Sequence, residues 1–187
     1  AGQLLAYFVQ HPNSIAAGLE EAHVVALRWY TSPAYELLNA PLRDREREEP
    51  HPFAVTIAFI SDGIKRLHAI NADAEGDPPL RLWRGMRNVV ASDALQRDGG
   101  TELAPLSTTP SLEMAARFST SRTALLFLVS AKSFLQRGAR HAFLSVAPHE
   151  QERLYPPCTF RKPTRRTQRV QPADELFCVA VEVTPAA

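Results

Sequence analysis

A break at residues 75–79, Glu-Gly-Asp-Pro-Pro, divides the sequence into two halves with different apolar patterns. Before the break, apolar residues recur at steps of three and four along one stretch: Phe53, Ile57, Ile60, Ile64, Leu67 and Ile70. This spacing predicts a buried stripe on a helix that Pro52 opens. After the break the apolar runs are short, as in strands. Helices first and strands afterwards, without regular alternation, predict an α+β fold rather than a doubly wound sheet.

The same pattern predicts how the chain is organised. We expect a helical N-terminal part, residues 1–76, and a β-rich core, residues 77–187, which together form one domain. Further helices are predicted over Ile15–Tyr30 and Ala34–Arg43. Five runs have the length and composition of strands: Leu80–Trp83, Ala124–Val129, Ala142–Val146, Leu154–Phe160 and Leu176–Val183. Residues 109–113, Thr-Pro-Ser-Leu-Glu, supply a helix cap with a Pro and an acidic residue in the first turn, which predicts a short helix through Phe118.

Composition excludes several classes of protein. A chain of 187 residues that is 45% hydrophobic can bury a sizeable core, so it is not a disordered chain. No uninterrupted apolar run is longer than that of Ala124–Val129, which is far shorter than the ~20 residues that cross a bilayer. With 21 basic and 20 acidic residues, no overall field favours nucleic acid. Because the chain starts without Met, we expect a soluble domain of a longer protein, in a compartment that the sequence leaves open.

Common nucleotide, metal and hydrolase motifs are missing from the sequence. There is no Gly-x-Gly-x-x-Gly after a strand and no phosphate loop that ends in Gly-Lys-Ser/Thr. The six His never have metal-ligand spacing and two Cys cannot form a four-cysteine zinc site, so no metal is expected. No Ser lies in a Gly-x-Ser-x-Gly elbow.

Arg84 is the first residue with a candidate chemical role. It follows the strand-like run Leu80–Trp83 and precedes Gly85, which predicts a place at the end of a strand. Alternation puts it on the same face as Leu80 and Leu82. An Arg on an apolar face is costly unless it meets an anion, and its planar guanidinium suits bidentate binding of phosphate. The alternative is an ordinary ion pair, or an Arg that covers apolar surface.

Two carboxylates stand two residues apart, at Glu150 and Glu152, before the strand-like Leu154-Tyr155. In an extended segment both would project to the same side and converge on one site. Such a pair suits a reaction at a glycosidic carbon, where one carboxylate steadies positive charge and the other handles the incoming group. The alternative is a solvated acidic loop before an edge strand.

Hydroxyl groups form two clusters. Ser107, Thr108 and Thr109 come before the predicted short helix, where they could cap it or orient a catalytic carboxylate and ligand hydroxyls. The second cluster, residues 119–121, follows that helix and indicates a connecting turn. We therefore expect Ser107, not Ser119, to belong to a site.

In this order the three signals resemble the arginine-specific mono-ADP-ribosyltransferases, which share an Arg…Ser-Thr-Ser…Glu-x-Glu signature among vertebrate ectoenzymes and cholera- and iota-type toxins. The spacings of 23 residues from Arg84 to Ser107 and 45 from Ser107 to Glu152 are similar to the family's. Upstream, residues 30–43 resemble the family's helical region, so the resemblance covers roughly residues 25–183. Two positions depart from the pattern: Thr109 replaces the last Ser of the triplet, and Arg153 stands where the family has an aliphatic residue.

The resemblance implies a fold and a set of roles. The ADP-ribosyltransferase fold has two small, roughly perpendicular sheets around a cleft for NAD, with helices beside them. Arg84 would hold the NAD phosphates and the Gly85 backbone the nicotinamide amide. Ser107 would orient Glu152 and the nicotinamide ribose, and Thr108 would join this NAD contact. Phe118 would pack on nicotinamide, although an amphipathic turn also fits a plain core Phe.

The same resemblance assigns Glu152 to the ribose hydroxyl and the cationic state formed as nicotinamide leaves, and Glu150 to the acceptor. A guanidinium is a poor nucleophile, so a carboxylate that binds it and takes a proton suits an arginine acceptor. The expected activity is therefore transfer of ADP-ribose from NAD to arginine in a protein substrate, without a metal.

Two alternatives stay open. An NAD glycohydrolase on the same fold would use the same Glu152 chemistry with water as the acceptor. A non-catalytic interaction module would instead use the basic segment 161–169, which is predicted to be a hairpin loop and could bind an acidic protein or RNA.

Overall fold

The computed structural model describes residues 2–70, 80–89, 92–119, 124–173 and 176–185. The helices are α1 (Leu5–Val9), α2 (Pro12–Ala16), α3 (Glu21–Tyr30), α4 (Tyr35–Arg43), α5 (Ala54–Ile70), α6 (Asp93–Asp98) and α7 (Leu112–Ser119). The strands are β1 (Leu80–Arg87), β2 (Gly100–Glu102), β3 (Leu106–Thr108), β4 (Ala124–Ala131), β5 (Ala139–Arg140), β6 (Arg153–Tyr155), β7 (Thr159–Ala173) and β8 (Leu176–Pro185). Helices α1 to α5 precede the first strand, α6 and α7 lie between later strands, and most neighbouring strands are antiparallel, which confirms the predicted α+β class.

The single helix predicted over Ile15–Tyr30 is wrong, because the chain breaks between α2 and α3. Gly18 has a φ of +61°, a conformation that favours glycine and ends α2. A new helix then starts with a capping box, in which the Glu20 side chain accepts from the His23 amide and His23 Nδ1 accepts from the Glu20 amide at 3.1 Å. The glycine and the capping box are both local features, so this break could have been predicted from the sequence.

Helices α3 and α5 build one apolar core. The predicted stripe on α5 is confirmed at Ile60, Ile64 and Leu67, which are fully buried. The same cluster includes three residues from the second half of the chain: Ala139, Leu144 and Leu154. The division into residues 1–76 and 77–187 stays a prediction, but the apolar core continues across it.

Two sheets pack on each other behind the helices. The larger has the order β1-β4-β8-β7-β2, with β4 and β8 parallel and the other neighbours antiparallel. The smaller is antiparallel, with β6 between β3 and β5. Leu106 and Tyr155 of the small sheet share one buried cluster with Leu82 and Phe127 of the large sheet. This contact fixes the small sheet against β1.

Two strand predictions are wrong. The run Ala142–Val146 is a turn, in which the amides of Leu144 and Ser145 both donate to the carbonyl of His141. The run Leu154–Phe160 is two strands, β6 and β7, because a turn with Cys158 at a φ of +65° separates them after two prolines. The short strands β2, β3 and β5 are too brief to leave an apolar pattern of their own.

The basic segment 161–169 lies within β7 and is paired with β8, so the predicted hairpin loop is also wrong. β-branched residues between the charges favour the strand, and a register shift beyond Pro163 accommodates a residue without an N–H. Arg161 faces inward, with its guanidinium 4.7 Å from the centre of the Phe127 ring, while Arg166 is exposed. The segment therefore does not present all of its charge to solvent.

Candidate functional site

The sequence predicted that Arg84 lies at the end of a strand, but it lies within β1. The strand continues to Arg87 because β4 pairs along its whole length. The predicted alternation is correct: Leu80 and Leu82 contact the apolar cluster between the sheets, and Arg84 follows on the same face. Its guanidinium therefore enters the space beside the small sheet.

The Arg84 guanidinium is a buried, ion-paired cation. Nη1 donates to the carbonyl of Ser107 at 3.0 Å and Nη2 to Oε2 of Glu102 at 3.2 Å. The Arg84 and Glu102 side chains are only 12% and 8% exposed. Burial lowers the pKa of Arg84, and the Glu102 carboxylate opposes that change. The ion pair that the sequence offered as an alternative is thus present. Together with the bond to the Ser107 carbonyl, it uses two of the five N–H groups of the guanidinium.

Three guanidinium groups surround the Glu102 carboxylate. Besides Arg84, Nε of Arg43 donates to Oε1 of Glu102 at 3.0 Å, and Arg161 lies close enough to stabilise the same carboxylate. Burial alone would raise the pKa of Glu102, but the charges of Arg84 and Arg43 bring it below its usual value. Buried Nε atoms of Arg84 and Arg161, with Nη1 of Arg161, have no partner among the described residues.

Glu152 stands directly before β6, the central strand of the small sheet. The register pairs Leu154 with Ser107 on one side and with Ala139 on the other. Continued by one step beyond β6, this register places Glu152 opposite Thr109 on one side and His141 on the other, with Ser107 diagonally across from it. Diagonal neighbours on one face of a sheet are within reach of each other, so the small sheet brings the serine and the glutamate of the predicted site together.

The Glu152 carboxylate has donors on both sides. Its Oε2 lies 2.9 Å from Nε2 of His141, and the Ser107 hydroxyl is near enough to favour the ionised carboxylate. Burial alone would raise the pKa of Glu152, but the interactions with His141, Ser107 and Arg84 bring it below its usual value. Glu152 is therefore an ionised carboxylate, and its side chain is only 14% exposed to solvent.

Glu150 reaches this site by a route that the sequence did not predict. Residues 148–150 form a 3₁₀ turn and Gln151 has a φ of +49°, so the extended segment assumed for Glu150 and Glu152 is wrong. The carbonyl of Glu150 accepts the Thr109 hydroxyl at 2.8 Å. Burial raises the pKa of Glu150, and the charge of Glu152 raises it further. The two carboxylates are close, but a turn and not a strand brings them together.

Only one hydroxyl of the triplet reaches Glu152. The Thr108 hydroxyl donates to the carbonyl of Arg153 at 3.1 Å and so ties β3 to β6. The Thr109 hydroxyl accepts from the Ser111 amide, and the hydroxyl of Ser111 caps the Met114 amide. The cap is therefore Ser111, two residues later than predicted, and α7 starts at Leu112.

Gly85 and Phe118 lie at the contact between β1 and α7. A Cβ at Gly85 would stand 1.9 Å from the carbonyl oxygen of Ala115, so a side chain at this position would push α7 off the strand. Phe118 is 42% exposed near the end of α7, which excludes a plain core position. Ser119 is buried and its hydroxyl donates to the carbonyl of Ala116 in the same helix. The remainder of that second cluster, residues 120 and 121, lies outside the described residues.

Four charged or titratable residues of the site were missed by sequence reasoning as site residues: Arg43, Glu102, His141 and Arg161. Arg43 belongs to the upstream segment that carried part of the resemblance. Tyr30, from the same segment, donates its hydroxyl to the carbonyl of Pro105 at 3.2 Å, and its pKa is raised first by burial and then by the charge of Glu152. Glu102, His141 and Arg161 reach the site through the pairing of strands, which leaves no local pattern in the sequence.

Comparison with solved structures identifies the fold. The ADP-ribosyltransferase HopU1 of Pseudomonas syringae pathovar tomato matches with a TM-score of 0.70 at 19% identity, over 100% of this chain and 89% of that one. Exoenzyme S from Pseudomonas aeruginosa, bound to carba-NAD, matches with 0.58 at 21% identity, over 95% and 86%. A mutant of the eukaryotic mono-ADP-ribosyltransferase ART2.2 in complex with NAD matches with 0.59 at 16% identity, over 90% and 67%.

These matches show that the chain has the ADP-ribosyltransferase fold. No family model and no curated protein sequence matches it. Across the described ranges, no helix is both long and apolar enough to cross a membrane. Within the same ranges, no group of three or more His, Cys, Asp or Glu side chains is arranged to hold a metal ion.

Proposed function

We propose that the protein transfers ADP-ribose from NAD to arginine side chains of acceptor proteins and releases nicotinamide. The observation that carries this proposal is the cluster of Arg84, Ser107 and Glu152, three residues far apart in sequence with direct or electrostatic contacts in one buried site. They are also the three residues that match the signature of arginine-specific mono-ADP-ribosyltransferases. Neighbours with this fold are described with NAD or carba-NAD bound, which supports NAD as the substrate.

The charges of the site fit a dinucleotide diphosphate. Arg43, Arg84 and Arg161 face one carboxylate, Glu102, and several of their buried N–H donors have no partner among the described residues. An anion that accepts from those donors would offset the cost of burying them. Arg84 would contact the NAD phosphates, the Gly85 backbone the nicotinamide amide, and the exposed Phe118 ring the nicotinamide face. The predicted contact of Thr108 stays a prediction, since its hydroxyl is used within the sheet.

Glu152 would drive the first chemical step. The bond between ribose C1′ and the nicotinamide nitrogen breaks with its electron pair on nicotinamide, which leaves positive charge on the ribose. An ionised carboxylate held in a mostly buried site stabilises such charge far better than water does. The low pKa of Glu152 keeps it ionised at neutral pH, where NAD cleavage needs it. Ser107 would orient the Glu152 carboxylate and the nicotinamide ribose relative to each other.

Glu150 would serve the acceptor. Arginine attacks C1′ through a guanidinium nitrogen and must lose one proton as the bond forms. Glu150 is partly exposed and has a raised pKa, as suits a carboxylate that binds an incoming guanidinium and accepts its proton. The arginine specificity rests on this residue.

An NAD glycohydrolase is the nearest alternative, because Glu152 would cleave NAD whether arginine or water captures the ribose. A non-catalytic module that binds through residues 161–169 is less well supported, since Arg161 points into the protein. Nicotinamide release measured with and without agmatine, an arginine analogue, separates the first two. A titration with NAD separates both enzymes from the third, because a module of that kind has no reason to bind NAD.

A further inference from the structure

The mechanism above does not use His141, a buried residue that contacts the proposed catalytic carboxylate of Glu152. Its ring is 1% exposed, and Nε2 lies 2.9 Å from Oε2 of Glu152. An ionised carboxylate only accepts hydrogen bonds, so the ring proton of this contact belongs to Nε2. Nδ1 is buried without a partner among the described residues. Among the described residues, Glu152 is therefore the hydrogen-bond partner of the His141 ring.

Strand register explains why the two side chains meet. Residues of β5 and β6 pair as Ala139 with Leu154 and Arg140 with Arg153. The next pair in this register is His141 with Glu152, just beyond the end of the ladder. Directly opposed residues of an antiparallel pair have neighbouring side chains. The His141 backbone is fixed as well, because its carbonyl accepts from the amides of Leu144 and Ser145.

We propose that His141 is a positioning residue that holds the Glu152 carboxylate ionised and in one orientation for attack on NAD. The proposal rests on the proposed function, since it assigns Glu152 the task of stabilising the ribosyl cation. A carboxylate has about four lone-pair sites, so the donor from His141 leaves others for the substrate. Without the His141 donor, a buried carboxylate would keep its desolvation cost but lose a partner that offsets it.

Several other groups act on Glu152, and a test has to distinguish them from His141. Arg84 approaches from β1, Ser107 from β3, Tyr30 from α3 and Glu150 from the 3₁₀ turn. Arg84 and Ser107 favour the ionised carboxylate, whereas the charge of Glu150 opposes it. All four stay in place when only position 141 is changed, so a shift caused by that change belongs to His141.

The test compares His141→Leu with His141→Gln. Leucine removes the donor, whereas the terminal amide of glutamine places an N–H close to where Nε2 stood. We expect His141→Leu to lower kcat for nicotinamide release on the order of tenfold, the size of one hydrogen bond to a charged group. KM for NAD should not change, and the acidic limb of the kcat profile should move toward neutral pH. His141→Gln should restore most of the rate and the position of that limb.

A matched control is available at His23. This His is also buried and lies 2.9 Å from a carboxylate, Asp62, but in the helical part of the molecule. His23→Leu should lower the melting temperature and leave kcat per folded molecule and its pH profile unchanged. If leucine at position 141 prevents folding, His141→Asn replaces it, because its shorter amide corresponds to Nδ1 and does not reach Glu152.

Two results would overturn the proposal: an acidic limb that stays in place in His141→Leu, or equal losses in His141→Leu and His141→Gln. Failure of the proposed function is a separate result, in which the wild-type protein releases no nicotinamide at all. In that case the Glu152 carboxyl is titrated by NMR on protein labelled with ¹³C-glutamate. The midpoint should be higher in His141→Leu than in wild type, and an unchanged midpoint refutes the positioning role.

Discussion

The molecule contains two buried histidines that contact a carboxylate at the same distance, and their surroundings differ. His141 and His23 each place Nε2 2.9 Å from an acidic oxygen, at Glu152 and Asp62 respectively. Asp62 is 49% exposed and also binds Arg66 one helical turn away, whereas Glu152 is 14% exposed and lies beside Arg84. The carboxylate that water reaches serves helix packing. The one that the protein encloses is the carboxylate to which the proposed function assigns the chemistry.

Loss of the enclosed carboxylate should have the largest effect. Glu152→Gln keeps the shape and the contact with His141 but removes the charge that we propose stabilises the ribosyl cation. We expect nicotinamide release to fall by at least about 10²-fold. The melting temperature should change by no more than about 2–4 °C, which corresponds to about 1 kcal/mol in a protein of this size. Nicotinamide release and a thermal melt on the same sample measure both.

Asp62→Asn is the matched control in the helical part. It should leave nicotinamide release at the wild-type rate and lower the melting temperature by a few degrees, since a partly exposed pair contributes at most about 1 kcal/mol. A strong loss of activity in Asp62→Asn would break the distinction between the two pairs.

A second carboxylate sharpens the comparison, because Glu150 lies close to Glu152 and has the opposite pKa shift. Glu150→Gln should lose most transfer to arginine and retain much of the NAD hydrolysis. Water needs less help than guanidinium to capture a reactive cation. Release of nicotinamide and modification of agmatine, followed in parallel, measure the two activities.

Equal loss of both activities in Glu150→Gln would indicate that Glu150 shapes the turn before Glu152. Full transfer to agmatine would instead show that arginine specificity does not depend on this residue. Either outcome contradicts the role proposed for Glu150 and leaves the fold untouched.

Removal of a serine hydroxyl should have a smaller effect on the rate of nicotinamide release. Ser107→Ala removes a hydroxyl that favours the ionised Glu152 carboxylate, whereas Ser119→Ala removes a hydroxyl that donates within α7. We expect kcat for nicotinamide release to fall on the order of tenfold in the first variant, as for one hydrogen bond to a charge, and much less in the second. Steady-state kinetics of both variants decide the order, and a reversed order would place the site at the other hydroxyl cluster.

The smallest expected effect is on how the free energy of unfolding depends on pH. The pKa of Glu152 is lowered in the folded protein, so its ionised form contributes stability that is present above about pH 4.3, the unfolded value, and disappears as pH falls through the folded pKa. Wild type should therefore lose stability relative to Glu152→Gln on acidification. Denaturant unfolding at a series of pH values measures this difference. It should not vary with pH if the folded and unfolded pKa values of Glu152 are equal, and it should vary in the opposite direction if the carboxyl is protonated in the folded protein.

The sequence contained the order and spacing of Arg84, Ser107 and Glu152, and the structure brings these three together. It also contained the buried stripe on α5, because helical periodicity is a local property. His141, Glu102 and Arg161 could not be predicted as site residues, since they reach the site through the pairing of β5 with β6 and of β2 with β7. The turn at Gln151 could not be predicted either, because a left-handed residue other than glycine leaves no clear local pattern.

The most direct test of the account is the intact mass of an arginine-rich acceptor protein after incubation with NAD and the enzyme. The account predicts that wild type adds the mass of one or more ADP-ribose groups, that Glu152→Gln adds none, and that Asp62→Asn acts like wild type. An acceptor that stays unmodified while NAD is hydrolysed would make the protein a glycohydrolase. An added mass that persists in Glu152→Gln would contradict the central claim that the enclosed carboxylate carries the chemistry.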